Sequence, residues 1–80
     1  MTVTLICFSH VRHALGQDRL SIDLQAGKTA ADFVAHVRTL AGGALDSMPL
    51  RVSVNQEMLD DSHPISDGDE LVLIPPVQGG

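Results

Sequence analysis

The sequence predicts a two-layer α+β domain, with one main helix covering one face of a mixed sheet of four or five strands. Three observations carry this. Eighty residues suffice for one core, so 1–80 is read as a single domain. Apolar residues alternate at period two in several short stretches, the mark of half-buried strands. Only one long stretch repeats at helical spacing, and it falls after the second strand.

The first strand is read over 2–8, where Val3, Leu5 and Cys7 alternate with Thr2, Thr4, Ile6 and Phe8. His10 to Leu15 is long enough for a turn or two of helix, stopped by Gly16. Leu20, Ile22 and Leu24 alternate with Arg19, Ser21 and Asp23 in a second strand. Thr29-Ala30-Ala31-Asp32 has the spacing of a capping box, with Thr29 as N-cap. Phe33, Val34, Val37, Leu40 and Ala41 then form the apolar stripe of the main helix, and Gly42-Gly43 ends it.

Leu50, Val52 and Val54 alternate with Arg51, Ser53 and Asn55 in a third strand. Asn55-Gln56 reads as a tight turn into a short strand from Glu57 to Leu59. His63-Pro64 demands extended backbone before the proline, and Asp67-Gly68 is a turn. Glu70 to Ile74 is the last strand, and Pro75-Pro76, which brings no N–H to a ladder, ends its pairing. Residues 75–80 are expected to form a flexible tail.

Composition narrows the function. Five Lys and Arg against ten Asp and Glu give a net charge of −5, which disfavours a phosphate backbone as partner. Phe8 and Phe33 are the only aromatic residues, too few for a base-stacking platform. An acidic surface suits a basic protein partner instead. No apolar run reaches the ~20 residues of a membrane span, and Met1-Thr2-Val3-Thr4 lacks the charged flank of a secretory signal. A small domain whose one cysteine has no partner fits a reducing compartment, so a cytoplasmic protein is expected.

Several side chains invite chemistry and are set aside. Cys7 points inward by alternation, where a thiol behaves as a small hydrophobe. His10 and His13 share a helical spacing but lack a third ligand, and no metal site is expected. The glycines have no phosphate-loop spacing. Asp60, Asp61, Asp67, Asp69 and Glu70 read as a solvated or docking surface, and the last three are expected to meet a basic rim where a partner receives the tail. The sheet face away from the helix is more telling. Ile6, Phe8, Val72, Ile74 and Met58 fall on it by alternation, and a grouped apolar patch on an open face marks an interface.

The chain ends Pro75-Pro76-Val77-Gln78-Gly79-Gly80. Two prolines stiffen the exit from the sheet, and two glycines give a backbone thin enough for a tunnel that any Cβ would block. The reactive group at the tip is the Gly80 carboxylate, inert until another enzyme activates it.

The run from Asp67-Gly68-Asp69-Glu70 through Pro75-Pro76-Val77 to Gly79-Gly80 resembles the C-terminus of the MoaD/ThiS ubiquitin-like sulfur carriers. Phe8-Ser9-His10-Val11-Arg12, Ala14-Leu15-Gly16, Val54-Asn55-Gln56 and His63-Pro64 extend the likeness along the chain, and the Pro-Pro-Val-x-Gly-Gly ending is similar to the MoaD branch. His13 departs from it, standing where such carriers commonly have Glu.

The resemblance implies a β-grasp fold. It implies that an ATP-using activating enzyme adenylates Gly80, that the product becomes a thiocarboxylate, and that Gly79-Gly80 delivers sulfur to cyclic pyranopterin monophosphate. Phe8, Met58, Ile74, Pro75, Pro76 and Val77 would dock the partners. Those are the activating enzyme and the large subunit of molybdopterin synthase, in a heterotetramer of two small and two large subunits. No nucleic acid, membrane or bound cofactor is implied. Three other functions stay open on sequence: a carrier for thiazole or another sulfur metabolite, a protein modifier ending in an isopeptide bond, and a plain interaction domain.

Overall fold

β1 (Thr2–Ile6) and β5 (Glu70–Ile74), the first and last strands of the chain, lie side by side and parallel, with Ile6 registered against Val72. The computed structural model describes residues 1–74. Between these strands in sequence come α1 (Ser9–Leu15), β2 (Arg19–Asp23), α2 (Ala30–Leu40), β3 (Arg51–Val54) and β4 (Glu57–Leu59). The sheet order is β2-β1-β5-β3-β4, so β5 is central and every other pairing is antiparallel.

The capping box at Thr29 is complete. The Asp32 N–H donates to Thr29 Oγ1 at 3.3 Å, and the Thr29 N–H donates to Asp32 Oδ2 at 2.9 Å. Two orphan donors of the first turn are thereby satisfied. Those hydrogen bonds hold the Asp32 carboxyl below its ordinary pKa, the backbone bond contributing most and the Thr29 hydroxyl next.

α2 buries Ala30, Phe33 and Val37 against the sheet. Their partners include Val3, Leu5, Ile22, Val52, Leu71 and Leu73, the inward positions of the strands. Leu40 departs from the expected stripe and is 49% exposed. It stands roughly 80° from the line through Ala30, Val37 and Ala41, in the last helical residue. Its side chain therefore overhangs the core.

The first strand stops at Ile6 rather than Phe8, because the chain turns there into α1. The Cys7 N–H still reaches the Asp18 carbonyl at 2.8 Å, and Phe8 keeps an extended backbone as the N-cap of α1. Gly16 ends that helix in the left-handed region, at φ 72°, as the sequence predicts.

Two loops supply core residues that no periodicity marks. Arg38 donates to the carbonyls of Leu45 and Met48, tethering the turns after α2 so that Leu45 is buried. The Ile65 N–H donates to the Lys28 carbonyl and the Ala30 N–H to that of His63, both at 2.9 Å. These bonds lace the segment after β4 to the start of α2 and bury Ile65.

Candidate functional site

Register aligns one residue from each strand in a single row across the open face. Arg19 of β2 pairs with Ile6 of β1, Ile6 with Val72 of β5, Val72 with Ser53 of β3, and Ser53 with Met58 of β4. Their chain neighbours Leu5, Leu71, Leu73, Val52 and Leu59 are buried on the other side. Alternation thus holds across the sheet, and the row faces away from the helix layer.

Ile74 stands one step beyond this row on its own strand, registered against Arg51. Phe8 likewise lies two residues past Ile6, on the chain that neighbours β5. Both therefore sit at the end of the sheet where β5 finishes. Phe8 is 57% exposed and Met58 47%, while Ile6, Val72 and Ile74 are partly covered. Met58 and Ile74 thus share the open face by register, and exposed Phe8 lies at the end of the sheet where Ile74 stands. Pro75, Pro76, Val77, Gly79 and Gly80 lie outside the described residues.

Ser53 was legible only as an outward polar residue. It is 5% exposed and stands in register between Val72 and Met58. Sequence alternation fixes which way Ser53 points, but its burial depends on strand order, which alternation does not carry.

The acidic residues are placed otherwise than expected. Glu70 opens β5 and Ile74 closes it, so the two are separated by about 13 Å of strand. Asp67 accepts the Thr2 N–H at 2.7 Å, and Asp69 accepts the Ser66 N–H at 2.9 Å. Glu70 pairs with Arg19 at 2.5 Å. Adjacency in sequence to the last strand therefore places these carboxylates at its start, at the opposite end from Ile74, with local duties. Asp60 and Asp61 follow β4 and share a shallow depression with Arg51.

Cys7 is buried in the core. Burial pushes its thiol pKa up, and the Asp18 charge adds to this, so the thiolate is disfavoured. His10 and His13 both lie on α1, and among the described residues no three metal-ligating side chains come together. No helix among the described residues is long and apolar enough to cross a membrane.

An open apolar face on a small sheet, with one helix layer behind it, defines a ubiquitin-like β-grasp domain. Solved structures agree on this fold. SAMP1 from Haloferax volcanii superposes with a TM-score of 0.82 at 23% identity, each chain covered fully. A putative molybdopterin converting factor subunit 1 from Pyrococcus furiosus gives 0.85 at 20% identity, covering 95% of this chain and 98% of its own. A ubiquitin from Caldiarchaeum subterraneum gives 0.64 at 20% identity, covering 100% and 98%.

Sequence comparison narrows the class further. The ThiS family profile matches residues 5–80, and the chain belongs to that family. The molybdopterin synthase sulfur carrier subunit of Escherichia coli (strain K12) is 30% identical over 80 residues, covering 98% of this chain and 99% of its own length. That of Chlamydomonas reinhardtii is 31% identical over 84 residues, with both chains covered fully.

Proposed function

We propose that this chain is the sulfur-carrier small subunit of a molybdopterin synthase. The observation that carries the reading is the end-to-end likeness to two such subunits, within a family match that runs to Gly80. The open face supports it, since Phe8, Met58 and Ile74 stand where a partner receiving the tail would press.

In this reading the Gly80 carboxylate attacks the α-phosphate of ATP on an activating enzyme, releasing pyrophosphate. The outer sulfur of a donor persulfide displaces AMP to form an acyl disulfide, and a second thiol then cleaves its S–S bond, leaving the donor as a disulfide and releasing the thiocarboxylate. The carrier then docks on the large synthase subunit through the apolar face, in a heterotetramer of two small and two large subunits in the cytoplasm. Residues Pro75, Pro76 and Val77 guide Gly79-Gly80 into that subunit's pocket, where sulfur passes to cyclic pyranopterin monophosphate. The domain supplies one activated atom, and its partners supply the electrostatics of the reaction.

The test is intact-mass measurement of the chain isolated from its own cells, with a Gly80 deletion in parallel. A mass increment of one oxygen replaced by sulfur, absent from the deletion, is the expected result. A ladder of protein adducts would assign the chain as a modifier instead. Molybdopterin formation with normal yield by the deletion variant would overturn the carrier reading.

A further inference from the structure

We propose that Arg51 is the charge contact of the docking face, recognising a carboxylate on the partner at the rim of the channel that takes the tail. The inference rests on the carrier reading and adds a residue that determines which partner fits.

The chain has four arginines and one lysine against ten acids. Among the described residues, three arginines are engaged internally. Arg12 pairs with Asp18 at 3.0 Å, Arg19 with Glu70 at 2.5 Å, and Arg38 holds the carbonyls of Leu45 and Met48. Arg51 has neither an ion pair nor a side-chain hydrogen bond among the described residues, and it is exposed. Asp60 and Asp61 border the same depression without reaching ion-pair distance.

Position gives this free cation its meaning. Arg51 opens β3 directly opposite Ile74, the last residue of β5, so it flanks the point where the tail begins. By alternation it shares the open face with Ser53, its neighbour two residues on. A cation beside an apolar patch fits a partner whose apolar docking surface carries an acidic side chain at its edge. The planar guanidinium fits a carboxylate bidentately, and arginine is enriched at interfaces. A polyanion is disfavoured, because the chain carries a net charge of −5 and only five Lys and Arg in all.

The experiment measures binding kinetics of wild type, Arg51→Gln, Arg51→Glu and Lys28→Gln against the purified large subunit of molybdopterin synthase from the same genome, at low and at ~0.5 M salt, where the Debye length is roughly 4 Å. Arg51→Gln should weaken binding about tenfold at low salt, the worth of one partly desolvated charge-assisted bond. Arg51→Glu should weaken it further, and an acid-to-lysine change at the partner's rim should restore it. Lys28→Gln removes the same charge on the helix side, before α2, and should stay within about twofold of wild type. All variants should melt like wild type. Equal binding by wild type and Arg51→Gln overturns the proposal while leaving the carrier reading intact. A melting temperature lowered by Arg51→Gln, showing an internal role for Arg51, also overturns it. Failure of wild type to bind the large subunit overturns the carrier reading and this inference together.

Discussion

Ile6 and Val72 are paired across the parallel seam of the sheet, although 66 positions separate them in sequence. That one contact joins the start of the chain to its end. It sets Leu5 beside Leu71 on the core side and puts Ile6 and Val72 together on the open side. The strand that leads to the tail is therefore held on one side by β1 and on the other by β3. Ile74 therefore ends a strand that is paired along both of its edges.

The two sides of the sheet should respond oppositely to truncation. Phe8→Ala and Met58→Ala remove exposed side chains, so melting should shift little while affinity for the large subunit falls by ~2 kcal/mol or more where the residue is a central anchor. Leu5→Ala and Leu73→Ala empty fully packed positions and should cost ~2–5 kcal/mol of folding stability. Calorimetry of folding and of binding on the four variants checks this. Equal losses of stability in all four would overturn the assignment of faces.

The start of α2 should carry an acid-sensitive contribution. Asp32 titrates below its ordinary value in the fold because the Thr29 N–H and hydroxyl favour the carboxylate. A depressed carboxyl pKa gives stability that is present above the unfolded value, near 4, and lost as pH falls through the folded value. Asp32→Asn should therefore melt lower than wild type at pH 7, and the two curves should converge at pH ~2. Thr29→Ala should cost about 1 kcal/mol through the lost cap. A gap between wild type and Asp32→Asn that persists unchanged at low pH would contradict the mechanism.

Much of this architecture is written in local pattern, and the rest depends on chain path. The strands, Thr29 with Asp32, and the glycine stops at Gly16 and Gly42 follow from period and turn chemistry within a few residues. Ile6, Val72, Met58 and Ile74 fall on one face by alternation once the strands are ordered. Leu45 and Ile65 could not be read as core, because each sits in a loop and is buried by bonds to distant residues, Arg38 and Lys28. The misplaced acids have the same origin. Asp67, Asp69 and Glu70 stand next to the tail strand in sequence, but a strand carries its two ends apart.

The hairpin between β3 and β4 holds a removable strain. Asn55 and Gln56 have φ of 52° and 68°, the pair of left-handed residues that a two-residue type I′ turn requires. Asn tolerates that region, whereas Gln has no such allowance and glycine enters it freely. Gln56→Gly should raise stability by roughly 0.5–1 kcal/mol, the steric relief exceeding the added entropy of the unfolded chain. Denaturant midpoints of the two proteins provide the measurement, and a lower midpoint for the glycine variant would show that the Gln56 side chain has a compensating contact.

The carboxylates before β5 should serve folding rather than docking. Asp67 accepts the Thr2 N–H at the start of β1, and Asp69 accepts the Ser66 N–H across the turn. Gly68 between them takes a φ of 84°, and its N–H donates to the Thr2 carbonyl at 2.8 Å. Together these bonds fasten the loop before β5 to the first residues of β1, and so set where the parallel pair begins. Asparagine at 67 or 69 keeps an acceptor oxygen but loses the charge that strengthens each bond. Asp67→Asn and Asp69→Asn should therefore lower the melting temperature, and Asp67→Ala and Asp69→Ala should lower it further. These residues lie at the start of β5, about 13 Å of strand from Ile74, beyond the ~10 Å Debye length at 0.1 M salt. Their replacement should leave the association rate with the large subunit within about twofold of wild type, in contrast to Arg51. Stopped-flow association beside thermal melts separates the two effects. Unchanged melting with a markedly altered association rate would mean that these acids face the partner after all, and that the docking surface reaches down the whole length of β5.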